Sequence, residues 1–201
     1  MSRTIALTSA VLICVSLSVA RAQGTQGTQT KPTTPPKTGT QTHPNTAMGN
    51  GSLKPADSKF LMDAAKVNMA EIDLAALADS KGTAPTVKQF SAKLKSDHEA
   101  AADDLKALAA LKDVALPSSL STTPKATKSR LDKLTGAAFD KAFADQMVLD
   151  HRHAVTAFTA ASKSTDADVK SFAEKMLPTL KDHLQRALDL QKQLGGTGRG
   201  K

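Results

Sequence analysis

From about residue 57 the chain places apolar side chains at spacings of three and four, the period that lays them along one side of a helix. Four such stripes can be read. The first is Phe60, Ala64, Val67, Glu71, Leu74 and Ala78. The second is Val87, Phe90, Leu94, His98, Ala101, Leu105 and Leu108. The third is Phe139, Phe143, Met147, His151, Ala154 and Phe158. The fourth is Val169, Phe172, Met176, Leu180, His183, Ala187 and Leu190. No strand-like alternation persists beyond a few residues. The pattern predicts helices over about 57–80, 83–112, 136–163 and 165–194. Gly82 is placed as a C′ residue, Pro85 in a first turn, and Asp166 and Asp168 at a positive helix N-terminus.

The segments "SKGTAPTVKQF" (80–90) and "SKSTDADVKSF" (162–172) match at six of eleven positions with a constant offset of 82. Each spans the turn between two stripes, so the chain reads as one αα-hairpin written twice. Short turns make each hairpin antiparallel. The 23 residues of 113–135 could reach roughly 75 Å when extended, enough for a crossover along the whole domain. "KATKSRLDKL" suits a short helix within it. The expected fold is all-α: a ferritin-like four-helix bundle of two αα-hairpins joined by a long crossover.

Every stripe is interrupted once near its middle by a side chain able to bind metal: Glu71, His98, His151 or His183. A buried, unpaired Glu71 anion would cost several kcal/mol, so it requires a cation, a metal or a proton. Core histidines likewise need partners for two ring nitrogens. Four such groups meeting in one core could be satisfied by a divalent metal, zinc or copper before iron, or by a hydrogen-bond network. Asp97, Asp150 and Asp182 each precede or flank a histidine, point away from it on their own helix, and could orient a histidine on a neighbouring helix. The axial levels differ: from position 82, Glu71 lies about 11 residues away and His98 about 16, a mismatch of roughly 7 Å that could split the site into two layers. Met69 and Met147 lie near these levels as soft donors or as plain core. His153 turns away from His151 toward solvent, and Pro178 should kink the last helix near His183.

The ends differ from this domain. Residues 1–22 read as an export signal, with Arg3, an apolar run from Ile5 to Ala20, and Ala20-Arg21-Ala22 before a mature start at Gln23. The run is short for a membrane span. Cys14, the one cysteine, lies within it behind the large Ile13, so lipidation is not expected there. The mature chain then has no thiol for disulfides or metal. Residues 23–56 are a Thr/Gln/Gly/Pro-rich tether with little to bury, 57–194 the helical domain, and 195–201 a loose tail. The formal charge of +8 falls to +6 without Arg3 and Arg21. Its lysines are scattered singly among aspartates, and the chain has no Trp or Tyr to stack on bases, which argues against nucleic acid. A solvated lysine surface able to touch anionic envelope material explains the charge better. The oligomeric state is open.

The segments "FLMDAAKVNMAEIDLAALA", "KLKSDHEAAADDLKALA", "GAAFDKAFADQMVLDHRHAVTAF" and "FAEKMLPTLKDHL" resemble the exported bacterial proteins grouped as domain-of-unknown-function 4142. The resemblance covers essentially all of 57–190. It implies a ferritin-like fold and a periplasmic or outer-membrane-associated location, singles out Glu71, His98, His151 and His183, and implies no reaction. Di-iron bundles carry Glu-x-x-His on two helices; here Lys95, Val148 and Leu180 stand three residues before the histidines, so a di-iron oxidase is not expected. No Ser-His-Asp or Cys-His grouping supports a hydrolase, and a non-enzymatic role is favoured. Two functions stay open: metal binding at the Glu/His centre, and an envelope interaction or adhesion module with structural core histidines.

Overall fold

The computed structural model describes residues 53–196. The expected export signal, residues 23–52 of the expected tether and residues 197–201 lie outside the described residues. Five helices follow in order: α1 (Pro55–Lys81), α2 (Pro85–Leu111), α3 (Thr122–Asp132), α4 (Gly136–Ala161) and α5 (Ala167–Gly196). No strand occurs among the described residues, and none of their helices is long and apolar enough to cross a membrane.

The largest helix contacts are α1 against α2 and α4 against α5, which are the two hairpins. Between them α2 packs on α5 and α1 on α4. Polar contacts fix how the ends align. Lys112, just past α2, reaches Asp166 and Asp168 at the start of α5, each at 2.7 Å. At the other end Asp140 of α4 accepts from the backbone N–H of Thr83 at 3.0 Å and of Ala84 at 2.8 Å, immediately before α2. The link from Lys112 to Thr135 therefore travels the length of the domain. Its α3 lies on α1 and α4, with Leu131 fully buried, and Lys128 pairs with Asp73 at 3.1 Å.

Local chemistry explains the boundaries. α1 begins at Pro55, two residues inside the expected tether, with proline in its first turn where a missing N–H is harmless. The Thr83–Ala84 stretch precedes α2 because Pro85 pushes Ala84 to an extended ψ of 131°. Gly82 is not a left-handed C′ residue: its φ is −59°. Glycine is needed for close approach, since a Cβ there would stand 2.6 Å from the Ala78 carbonyl oxygen and 2.8 Å from Val87 Cγ1. Asp166 caps α5, its Oδ1 accepting from the N–H of Asp168 and Val169 at 3.1 and 3.0 Å. α5 continues through Pro178 and takes in Gly195 and Gly196, the glycines expected to follow it.

Three stripes are buried as read, apart from half-buried Ala101, Phe158 and Met176. On α1 the inward face is rotated: Val67 is 43% exposed, whereas Leu61, Ala65 and Asn68 are buried with Glu71. The core forms two apolar clusters. One holds Leu74, Ala78, Leu94, Phe139, Phe143 and Met147; the other holds Leu61, Ala64, Leu105, Leu108 and Phe172. On every long helix a buried polar residue falls between these clusters in the chain (Asn68 and Glu71, His98, His151, and His183), so a polar layer separates two oily ones.

Candidate metal centre

Three histidines occupy that layer: His98 from α2, His151 from α4 and His183 from α5. They are 6%, 1% and 1% exposed. Their ring centroids are 5.9 Å apart for His98–His151, 5.5 Å for His98–His183 and 5.2 Å for His151–His183. One potential ligand atom from each lies within 4.8 Å of the other two. Nitrogens on one ion at about 2.0–2.1 Å can stand at most about 4.2 Å apart, so small side-chain rotations would suffice to converge on an ion.

Each ring has one nitrogen anchored and one without a partner. His98 Nδ1 donates to Asn68 Oδ1 at 2.8 Å, while Asn68 Nδ2 donates to the His98 carbonyl at the same distance. The Asn68 amide is thus oriented by its own second bond, and it keeps the His98 proton on Nδ1. His151 Nδ1 donates to the Met147 carbonyl at 3.0 Å, one turn back on α4. His183 Nε2 donates to Asp97 Oδ2 at 2.7 Å. The atoms left without a hydrogen bond are His98 Nε2, His151 Nε2 and His183 Nδ1. In neutral rings these are lone pairs. Anchoring one nitrogen to a carbonyl or carboxylate so that the other is free is how metal-binding imidazoles are ordinarily held.

The electrostatics keep the rings neutral. Burial, with the neighbouring His151 and His183, pushes His98 down from 6.5 to about 3. Burial, with His183, pushes His151 down to about 4. Burial also lowers His183, opposed by the Asp97 carboxylate on its Nε2. Partial burial pushes Asp97 upward, but bonds from Lys93 and His183 hold it below the ordinary carboxylate value. An ion here would therefore displace no protons at neutral pH.

Glu71, also buried, is not in the group of close ligand atoms. It faces Asp150 of α4 instead. Burial, then the Asp150 charge, raises Glu71 well above its ordinary value, and burial raises Asp150 as well. Burial thus favours the protonated form of Glu71, whose Oε2 is without a partner. The expected centre divides into the two layers that the axial levels allowed, three rings and one carboxyl pair. Of the three aspartates, Asp97 alone reaches a histidine on another helix. Asp150 accepts from Gln146 Nε2 at 3.0 Å, and half-exposed Asp182 pairs with Arg186 at 2.8 Å. His153 is exposed, as its position two residues from His151 requires. Met147 is core, contributing its backbone carbonyl to His151.

Two further polar residues support the layer and the helix ends without any local signal in the sequence. Asn68 sits where α1's face is ambiguous by one residue, beside apolar Val67. Asp140, 2% exposed, holds Thr83 and Ala84, the two residues that lead into α2, from α4. No local motif marks either.

Two solved structures share this fold. A DUF305 fragment from Deinococcus radiodurans is 15% identical, with a TM-score of 0.61, and the match covers 72% of this chain and 99% of that one. CopM in its Cu(I)-bound form is 18% identical, with a TM-score of 0.58, covering 72% of this chain and 98% of that one. No curated protein matches the chain in sequence. A family model described as a domain of unknown function (DUF4142) matches residues 42–190, and the chain belongs to that family.

Proposed function

We propose that this protein is an exported metal-binding protein that holds one copper or zinc ion on His98, His151 and His183. The observation that carries the reading is the set of three unpartnered imidazole nitrogens in one buried layer, each opposite an anchored nitrogen on the same ring. A structural histidine network would be expected to satisfy both nitrogens. Copper is favoured in its monovalent state. Lys93 at 2.9 Å already balances the Asp97 carboxylate that bonds His183, so a monovalent ion leaves less uncompensated charge in the core than a divalent one does. The similar fold of CopM, solved with Cu(I), is compatible with this choice. Glu71 is assigned to the carboxyl pair with Asp150, and we read the helix layout as a ferritin-like four-helix bundle.

Full-chain protein purified without a histidine tag tests the reading. Cu(I) and zinc are titrated against a coloured competing chelator. One equivalent should bind to the wild type and none to His98→Ala, His151→Ala or His183→Ala, while His153→Ala binds as the wild type does. Absence of binding to the wild type at neutral pH overturns the reading.

A further inference from the structure

A cavity of about 40 Å³ abuts the histidine layer, with His98 and His183 in its wall. It extends toward the Lys112 end, between Leu105 of α2 and Phe172 of α5. Half-exposed Val67 is also in the wall, so the cavity approaches the surface beside α1. Most of the remaining lining is apolar. Asn68 and Asp97 are already bonded to rings, which leaves the Thr179 hydroxyl and the Met176 thioether as other donors along the wall. Met176 lies seven residues before His183 on the same side of α5, two turns or about 10 Å away. That is too far to share an ion with the histidines.

An ion crossing apolar walls must shed water and gains nothing in exchange. A thioether can replace water for soft cuprous ion, and does so poorly for zinc. We propose that this cavity is the path by which cuprous ion reaches His98, His151 and His183, with the Met176 thioether as a transient ligand on the way. The proposal rests on the metal-binding reading above. It adds a residue that sets the rate of loading and the choice of metal, and leaves the equilibrium affinity to the histidines.

The test compares stopped-flow loading of the full chain by chelator-buffered Cu(I), under reducing and anaerobic conditions, with loading by zinc. Met176→Leu conserves volume and removes the sulfur. It should load Cu(I) about tenfold more slowly, as expected for losing one soft ligand from the barrier. Its equilibrium affinity and its zinc loading should match the wild type. Ala101→Leu, which adds bulk to the cavity wall, should slow both metals. Cu(I) loading of Met176→Leu at the wild-type rate overturns the proposal. Weakened equilibrium affinity also overturns it, because Met176 would then be a resident ligand, and so does equal slowing of zinc, because the effect would be steric. If both variants melt as the wild type and Ala101→Leu loads both metals normally, the path lies elsewhere. A wild type that binds no metal removes the histidine centre itself, and the path with it.

Discussion

Replacing Asn68 with alanine should damage the centre without touching a ligand. Asn68 holds the His98 proton on Nδ1, and its loss leaves that nitrogen without a partner in a buried layer. Leaving a buried donor unsatisfied costs about 1–3 kcal/mol. For a domain of this size the unfolding entropy is roughly 0.3 kcal/mol/K, so the metal-free melting temperature should fall by about 3–10 °C. The consequence for metal is separate. The freed ring can move its proton to Nε2, the nitrogen meant to ligate, and can rotate. Loss of such an orienting partner weakens metal binding about 10- to 100-fold, or 1.4–2.7 kcal/mol. Both effects are read on one sample, by thermal melting without metal and by chelator competition with Cu(I). Affinity unchanged within twofold would refute the role given to Asn68, even if the melt is lowered.

Three further outcomes follow from buried polar groups. Glu71 is raised in the folded state, so above pH 4.5 its burial works against folding; Glu71→Gln should melt a few degrees higher than wild type at pH 7.5, with the gain vanishing near pH 4, and a lower melt at pH 7.5 would contradict the proton-sharing pair. His98 and His151 are lowered from 6.5 to about 3 and about 4, so their stabilisation is complete above 6.5 and drains as pH falls, because the unfolded chain binds protons first. In metal-free Glu71→Gln protein, urea midpoints at pH 7.5 and 5.5 should report a loss of about 3 kcal/mol, and a flat profile would show that the rings are not held neutral. Asp140→Ala leaves the N–H groups of Thr83 and Ala84 without their acceptor and should lower stability by about 2–3 kcal/mol by urea denaturation, whereas a change under 0.5 kcal/mol would mean water replaces the carboxylate.

The histidines are legible in the sequence because each interrupts an unbroken apolar stripe, and a ring at such a position has nowhere to go but inward. Their meeting is less legible. The offset between His151 and His183 along their hairpin suggests separate levels, yet their ring centroids are 5.2 Å apart. Helix-axis arithmetic ignores the reach and tilt of side chains. The same arithmetic is informative for Glu71, which stands with Asp150 rather than with the rings. Asn68 is hidden by a local ambiguity: Val67 is the more apolar neighbour, and only tertiary packing turns α1 by one residue to expose it. Asp140 acts on Thr83 and Ala84 across more than fifty residues, a pairing that no window along the chain contains. Even α3 is only half visible, since "KATKSRLDKL" has helical composition but few residues to bury, Leu131 fully and Leu134 in part.

The central claim is that three imidazoles and no carboxylate hold the ion. X-ray absorption at the copper edge, on full-chain protein loaded with one equivalent of Cu(I) and free of any histidine tag, tests it most directly. The expected spectrum has a nitrogen-only coordination shell with the outer scattering of three imidazole rings, and His153→Ala gives the same spectrum. A shell containing the Met176 sulfur or the Glu71 carboxylate in place of a ring, or copper that fails to bind stoichiometrically, would contradict the three-histidine centre.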